Sequence, residues 1–445
     1  MKATKFAIAA AVALTIAAGA ARAEDHFERT FNRTLNYHGG RVTIENSFGS
    51  LHVRTGHGNN VTVRATIRSS DAEIGRGINI EVSEGAGITV KTVVPSISHH
   101  GSLSFSIDEE VVVPDEAPLL LSNRFGSIDA TGIRASSELI NRQGSISLRD
   151  SSGTQRLENS FGSITIEHAS GSVEAKNTNG SIHAANIDGR LAALNRFGSV
   201  NVETVRGDLS VQNGNGSVDV HDVGGSLAIV NGFGTTRFAK VARNVTVTSN
   251  NGRIEGSGVG GTATVSGSFD TIELRDIGGT TRVKNGNGAV NLADIRANVD
   301  VETQFAPIRA ERIRGSLTAV NGNGSVTASD ISGNANVRAS FGSVFLRGVD
   351  GAVDVRNQNG GISVAGLRGA CNPVVLHTSF SSIKVSVPRG VGYNVEARTS
   401  FGSINTDTPL NVTRRSDNAL VGTINGGGCR MELVNSNGSV TVGGE

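Results

Sequence analysis

Apolar and polar residues alternate along this chain in short bursts separated by glycine-containing breaks, and from Gly126 to Gly360 the bursts recur every 18 residues without insertion or deletion. In the stretch from Asn195 to Gln212 the apolar positions are Phe197, Val200, Val202, Val205, Leu209 and Val211. Val200/Val202 and Leu209/Val211 each alternate with polar neighbours, the mark of a short strand with one buried face. The next stretch repeats this with Val218, Val220, Val223, Leu227 and Ile229. Two strands per unit leave two corners. One reads Asn-x-(Phe or Asn)-Gly, the other (Ile or Val)-x-Gly, as in Val205-Arg206-Gly207 and Val223-Gly224-Gly225. Glycine is expected to supply a positive φ at both. Beyond the N-terminal leader no run of 11 or more residues carries a helical period.

An array of fixed repeat length is a solenoid, each repeat one coil stacked on the last. The expected fold is all-β: a single-stranded parallel β-helix with 18-residue coils and an irregular N-terminal β cap. Steps of 18 from Gly126 give fourteen register positions, of which twelve are glycine: Gly126, Gly144, Gly162, Gly180, Gly198, Gly216, Gly234, Gly252, Gly288, Gly324, Gly342 and Gly360. Asp270 and Ala306 are the exceptions. The residue before each register position alternates strictly, Phe125, Phe161, Phe197, Phe233, Phe269, Phe305 and Phe341 interleaving with Gln143, Asn179, Asn215, Asn251, Asn287, Asn323 and Asn359. If this position points inward at a corner, phenylalanine on every coil overfills the space, and large interleaved with small satisfies packing. The competing account is a 36-residue coil with Phe stacked on Phe. The first position of the coil is Asn in ten of fourteen cases, among them Asn123, Asn141, Asn159, Asn177, Asn195, Asn213 and Asn231. Stacked, these are expected to form an amide ladder.

The flanks are less regular. Residues 1–23 read as a secretory signal, with Lys2 and Lys5, an apolar run from Phe6 to Ala18, and Ala21-Arg22-Ala23 as cleavage site. Residues 24–121 carry one early copy, Asn46-Ser47-Phe48-Gly49-Ser50, and strands at Val61 to Ile67, Ile78 to Val82, Ile88 to Val93 and Val111 to Val113. They are expected to form larger first coils and cap the open end. Residues 122–366 hold the regular coils. Residues 367–445 hold looser coils and a cap, ending in Asn435-Ser436-Asn437-Gly438-Ser439. Eighteen to twenty coils at ~4.8 Å imply a rod roughly 90 Å long.

Charge narrows the partners. Removing the leader's Lys2, Lys5 and Arg22 takes the net charge from +1 to 1 − 3 = −2. A near-neutral chain without a basic block argues against nucleic acid and against anionic lipid bound through bulk charge. No membrane-spanning segment is expected after the leader. The two cysteines, Cys371 and Cys429, are a candidate disulfide in an oxidising compartment. Counted along the chain they lie about three coils and roughly 14 Å apart, beyond the ~7 Å reach of a disulfide. Pairing therefore requires the C-terminal segment to fold back.

Chemistry is sparse. The outward series three residues after each register position, from Asp129 and Ser147 through Asp219, Arg237, Glu255 and Glu273 to Phe345 and Ser363, is mixed. Solvated charge explains it better than a catalytic cluster, and it lacks the uniform threonine row of an ice-binding face. Trp is absent and Tyr37 and Tyr393 are the only tyrosines, which disfavours sugar stacking. Asp150, Asp222, Asp276, Asp294 and Asp330 recur before the Ile/Val corner, but Lys240 and Arg312 occupy the same place, so turn initiation is preferred to a calcium ladder. His99-His100 is a lone pair, without metal-ligand spacing around it. No catalytic residue, cofactor or metal site is expected.

The run Val111-Val112-Val113-Pro114-Asp115-Glu116-Ala117-Pro118-Leu119-Leu120-Leu121 leads into Asn123-Arg124-Phe125-Gly126-Ser127-Ile128. With the Asn-Gly-Ser-(Ile/Val) repeats and the ending Gly422-Thr423-Ile424-Asn425-Gly426-Gly427-Gly428 through Asn437-Gly438-Ser439-Val440, it resembles the bacterial β-helix family called putative adhesins. The resemblance covers most of the chain after the leader and implies a fold rather than an activity. Its members are exported or envelope-associated, and some accompany envelope-stress systems. Departures are the rigid spacing and Phe305-Ala306-Pro307, where proline removes a ladder donor. Bactofilin-type filaments share the coil length but are cytosolic, and an autotransporter passenger needs a C-terminal barrel that this chain does not show.

The expected function is a non-catalytic, exported, adhesin-like rod presenting a binding surface to a protein or glycan at the cell envelope, periplasmic or extracellular. The alternatives are a periplasmic envelope-stress scaffold or sensor and, behind it, a carbohydrate-active β-helix enzyme.

Overall fold

A computed structural model describes residues 27–96, 103–369 and 371–445. The leader and His99-His100 lie outside the described residues. Each strand of the regular region pairs in parallel with its counterpart 18 residues on: Val200–Val205 with Val218–Val223, and Leu209–Asn215 with Leu227–Phe233. The coil is therefore 18 residues, and the 36-residue alternative is excluded by Phe233 lying opposite Asn215 on one side and Asn251 on the other. The inward residues of both strands form one continuous apolar core along the solenoid. Among the described residues one helix interrupts the strands, Ala72–Gly77, whose N-cap Asp71 accepts from the backbone of Glu73 and Ile74. Six residues are too few to show a helical period, which is why the pattern did not reveal it.

The two corners solve their geometry differently. From Gly126 to Gly252 the register glycines have φ between +110° and +151°. A Cβ there would sit 2.0–2.5 Å from the carbonyl oxygen of the corner one coil below. Both facts require glycine. From Asp270 to Gly360 the corner leaves the left-handed region, and the two non-glycine residues of the array, Asp270 and Ala306, fall in that half; at the next coil Ser381 returns to it with φ +100°.

At the second corner Gly153, Gly171 and Gly189 supply the expected positive φ, but Gly207 and Gly225 do not. The left-handed residue comes earlier, in a continuous row that includes Asp150, His168, Asn186, Thr204, Asp222, Lys240, Asp276, Asp294, Arg312 and Asp330, with φ from +51° to +62°. Asp and Asn tolerate this region, and Thr204 and Lys240 do so at a steric cost. Gly225 is needed for close approach instead, since a Cβ would meet the Gly207 backbone at 2.5 Å.

The first-position asparagines are buried, but they do not chiefly bond one another. Their amides donate to the corner carbonyl of the coil below: Asn141 to Gly126 at 2.9 Å, Asn159 to Gly144 at 2.8 Å, Asn177 to Gly162 at 2.9 Å and Asn357 to Gly342 at 2.7 Å. Asn213 to Asn231, at 3.3 Å, is the exception with an amide-to-amide bond. These asparagines thus staple their coils to the one beneath, satisfying a carbonyl that the turn would otherwise strand, whereas Asn195 and Asn213 donate to Gly198 and Gly216 of their own corner.

At both ends the stacking order departs from the chain order. Val42–Phe48 lies between Ile88–Val93 and Leu119–Phe125, so the strands Asn60–Ser69, Asn79–Glu84, Ile88–Val93 and Phe105–Pro114 fold down beneath the first coil. Three strands then run antiparallel and close the stack: Asn60–Ser69 against Phe105–Pro114, Phe27–Asn36 against Asn60–Ser69, and Asn79–Glu84 against Ile88–Val93. The C-terminal end mirrors this. Cys429–Asn437 inserts between Val374–Phe380 and Tyr393–Thr399, and Ala419–Ile424 caps Tyr393–Thr399 antiparallel. Antiparallel closure blunts edges that would otherwise recruit further strands. The insertion also explains the cysteines. Cys371 and Cys429 sit on adjacent coils and form a disulfide, with Cα atoms 5.5 Å apart; the separation counted along the chain does not apply because the last coil is threaded inward.

Two outcomes follow. Glu109 is fully buried in the N-terminal cap, one oxygen accepting from Thr92 Oγ1 at 2.7 Å and the other without a partner. Burial pushes its pKa from 4.5 up to about 7. The folded state therefore holds this proton more tightly than the unfolded chain, so the stabilisation is full below pH 4.5 and is lost as pH rises through about 7. Glu109→Gln keeps an acceptor for Thr92 and removes that dependence; urea unfolding should show the wild type losing roughly 3 kcal/mol across the window relative to the variant. Replacing Cys371 and Cys429 by Ser opens a loop of separation 58 and should cost the C-terminal cap about 4 kcal/mol. Faster amide exchange confined to residues 393–424 is the readout.

Candidate binding surface

The alternating Phe/Asn position does not face the core. Phe161, Phe197, Phe233, Phe269, Phe305, Phe341, Phe380 and Phe401 are 44–78% exposed. They stand just before the register corner, where the chain turns from one sheet to the next, and they form a ridge along that edge. The packing account of the alternation fails on a second count as well. Phe48 and Phe125 occupy the ridge position on adjacent coils and simply stack, with ring centroids 5.0 Å apart and planes 10° from parallel. Neighbouring phenylalanines are thus sterically allowed here. Inside the core, large-with-small packing is found elsewhere: the buried Phe238 ring fills the space above it, and a Cβ on Gly256 would lie 2.1 Å from that ring.

The alternation follows spatial order, not chain order. Along the chain, Phe341, Asn359, Phe380, Phe401 and Asn437 break the pattern. In the stack, Phe380 lies opposite Asn437, and Phe401 follows on the far side of that coil because Thr399 pairs with Asn435. Threading the last coil inward restores Phe–Asn–Phe. The ridge therefore keeps one phenylalanine per two coils, ~9.6 Å apart at twice the strand spacing, from Phe125 to Phe401.

The intervening amides are held in place. Asn179, Asn287, Asn359 and Asn437 donate to the backbone carbonyls of Ser160, Ser268, Ser340 and Ser379 at 3.2–3.3 Å. Each such serine precedes the phenylalanine of the coil below, so the gaps between rings have a fixed floor. Arg124 and Arg196 lie beside Phe125 and Phe197, 5.4 and 5.2 Å from the ring centroids. On one side the flanking positions carry Arg124, Arg142 and Arg196 within the first five coils and only uncharged residues from Gly214 to Gln358; on the other, Arg253 is the one cation among small and uncharged residues such as Ser217, Thr235, Thr271, Ala289, Ser325 and Ser343. An apolar strip bordered by small polar residues, four arginines and no acid has the composition of an interface, where aromatic residues and arginine are enriched.

The sheets present the opposite character, with their charges matched pairwise. Arg237 bridges Asp219 and Glu255, and Arg253 bridges Glu255 and Glu273. These residues line a shallow depression with Gly256, Glu203 and His221. On the left-handed corner Asp276, Asp294 and Asp330 pair with Arg296, Arg312 and Arg368, and Arg312 holds the Asp294 carboxyl below its ordinary range. The recurrent aspartates thus serve the turn and arginine partners. Among the described residues no three His, Cys, Asp or Glu side chains gather at metal-binding distance, and no helix is long and apolar enough to cross a membrane.

The ridge phenylalanines were visible in the sequence as a period but not as a surface. Their outward direction was signalled by what stacks above them: an inward ring such as Phe238 needs a glycine one coil up, whereas Phe161 and Phe233 have Asn179 and Asn251 there.

No protein-family model and no curated protein matches the chain. Two solved structures align with it. One, a putative cell adhesion protein from Clostridium sporogenes, is 7% identical, covering 94% of this chain and 100% of that one, at a TM-score of 0.16. The other, a putative adhesin from Parabacteroides distasonis, is 8% identical, covering 80% of this chain and 97% of that one, at a TM-score of 0.17. At such scores neither bears on fold or function, and the architecture rests on the strand register itself.

Proposed function

We infer that this chain is an exported, adhesin-like β-helical rod that presents its phenylalanine ridge to a partner at the cell envelope and does no catalysis. The observation that carries the reading is the ridge's spatial alternation, preserved through a coil that is threaded out of chain order. A row of half-exposed aromatic rings costs solubility unless something covers it, and it is repeated along the whole stack. Support for a non-catalytic role comes from the depression on the outward sheet, where Asp219, Glu255 and Glu273 are engaged by arginine. The one strongly perturbed acid, Glu109, is sealed inside the cap. Support for export comes from the leader at residues 1–23, from a disulfide suited to an oxidising compartment, and from the near-neutral charge.

The ridge is tested by adding the labelled mature chain to source cells and envelope fragments. Phe197→Ser, Phe233→Ser and Phe269→Ser together should weaken binding at least ~10-fold, since losing burial of three half-exposed rings costs several kcal/mol at ~25 cal/mol per Å2. Circular dichroism and melting should stay unchanged, because the rings do not support the core. Unaltered binding by the triple variant would remove the ridge from the function. Protease added to intact cells decides the compartment: cleavage places the rod on the surface, and protection until the outer envelope is opened makes it a periplasmic scaffold or sensor.

A further inference from the structure

We propose that the partner of the ridge is a second copy of this chain, docked antiparallel so that each phenylalanine enters the gap over an asparagine of the other copy. The proposal rests on the reading of the ridge as a binding surface and names its occupant. Its first ground is that alternation is not a packing requirement: the position faces solvent, and Phe48 and Phe125 show that adjacent rings stack without difficulty. A surface that merely needed to be apolar would gain from phenylalanine on every coil. Keeping a small amide between every two rings is a shape, and a shape alternating large and small at equal steps is its own complement when displaced by one step.

The second ground is the arithmetic of the array. The fourteen regular positions begin with Phe125 and end with Asn359. A two-fold axis across the rod between Phe233 and Asn251 sends every phenylalanine of the fourteen regular positions onto an amide, and only at the ends does a ring, Phe380, come opposite another, Phe48. Phe233 meets Asn251 of the second copy, Phe269 meets Asn215, Phe197 meets Asn287, and so on outward to Phe125 against Asn359. Such an isologous contact closes on itself and leaves a dimer, not an open fibre. The third ground is size and charge. Six rings of the array are 44–61% exposed, roughly 100 Å2 each for a side chain that buries 150–250 Å2. Rings from both copies thus supply about 1,200 Å2 before their borders are counted, which reaches the range of specific interfaces. The border carries four arginines, Arg124, Arg142, Arg196 and Arg253, and the two-fold sets each of them opposite an uncharged flank, so neither they nor the net charge of −2 put a strong repulsive field between two copies.

The test uses the mature chain from residue 24 to 445 in sedimentation velocity over a dilution series. The expected result is a monomer–dimer equilibrium that Phe233→Ser with Phe269→Ser shifts to monomer. The discriminating variant fills the gaps: Asn215→Phe, Asn251→Phe and Asn287→Phe together. Ring then meets ring, and self-association should weaken at least ~10-fold even though the surface has become more apolar. Melting curves check that the fold survives. Tighter self-association of the gap-filled variant overturns the proposal, because it signals generic adhesion of an apolar strip. A wild-type chain that stays monomeric to ~100 μM also overturns it. If that monomer still loses cell binding on Phe→Ser substitution, the ridge keeps its function with a foreign partner. If it is retained on insoluble β-1,4-linked glycan such as chitin, and the gap-filled variant is retained more strongly, a sugar chain takes the second copy's place.

Discussion

Every coil of this protein must return its chain to the same point one strand spacing higher. That closure condition governs the rest. It fixes the repeat at 18 residues, because one residue more would turn an inward strand face outward. It also means that each position in the coil touches its own repeats, so a side chain is selected for contact with copies of itself. From Gly126 to Gly252 the backbone passes so close beneath itself at the register corner that a Cβ would lie within 2.0–2.5 Å of the carbonyl below, and glycine becomes obligatory there. The buried asparagines answer the same condition, donating to the carbonyl that the corner leaves without a strand partner.

Much of this was legible beforehand. The 18-residue period, the two strands, their inward residues and the register glycines follow from periodicities of two and of eighteen acting together. What periodicity could not supply was direction at a corner, where the alternation of in and out that holds along a strand is lost. The phenylalanines were accordingly read inward and stand outward. Gly207 and Gly225 were read as turn residues and prove to be points of close approach, while Thr204 and Asp222 carry the left-handed backbone. The order of the end coils was also hidden, although a trace existed: Phe380, Phe401 and Asn437 violate the alternation along the chain, and reordering the coils repairs it.

The surface divides cleanly between two kinds of chemistry. On the sheets, acids and bases answer one another from coil to coil, as between Arg237 and Glu255 or Arg253 and Glu273. Exposed pairs of this sort add little stability, but they leave the faces without strong unpaired potential. On the phenylalanine edge Arg124 and Arg196 lie over Phe125 and Phe197 and Phe48 stacks on Phe125, but among the described residues no ring or cation answers the rings from Phe233 onward. The residues that define this edge, from Phe161 to Phe401, are the ones least needed by the core.

The threaded ends bear on time as well as shape. Parallel coils can be laid down one after another as a chain emerges, each using the last as template. The two terminal coils break that order. Val42–Phe48 must wait for segments made after it to arrive on both of its sides, and Cys429–Asn437 must slip between two coils already made. The body of the solenoid can assemble progressively, but its far end closes only when its latest-made coil finds its slot. The link between Cys371 and Cys429 then acts as a latch, recording that assembly has been completed and holding the final coil where it was inserted.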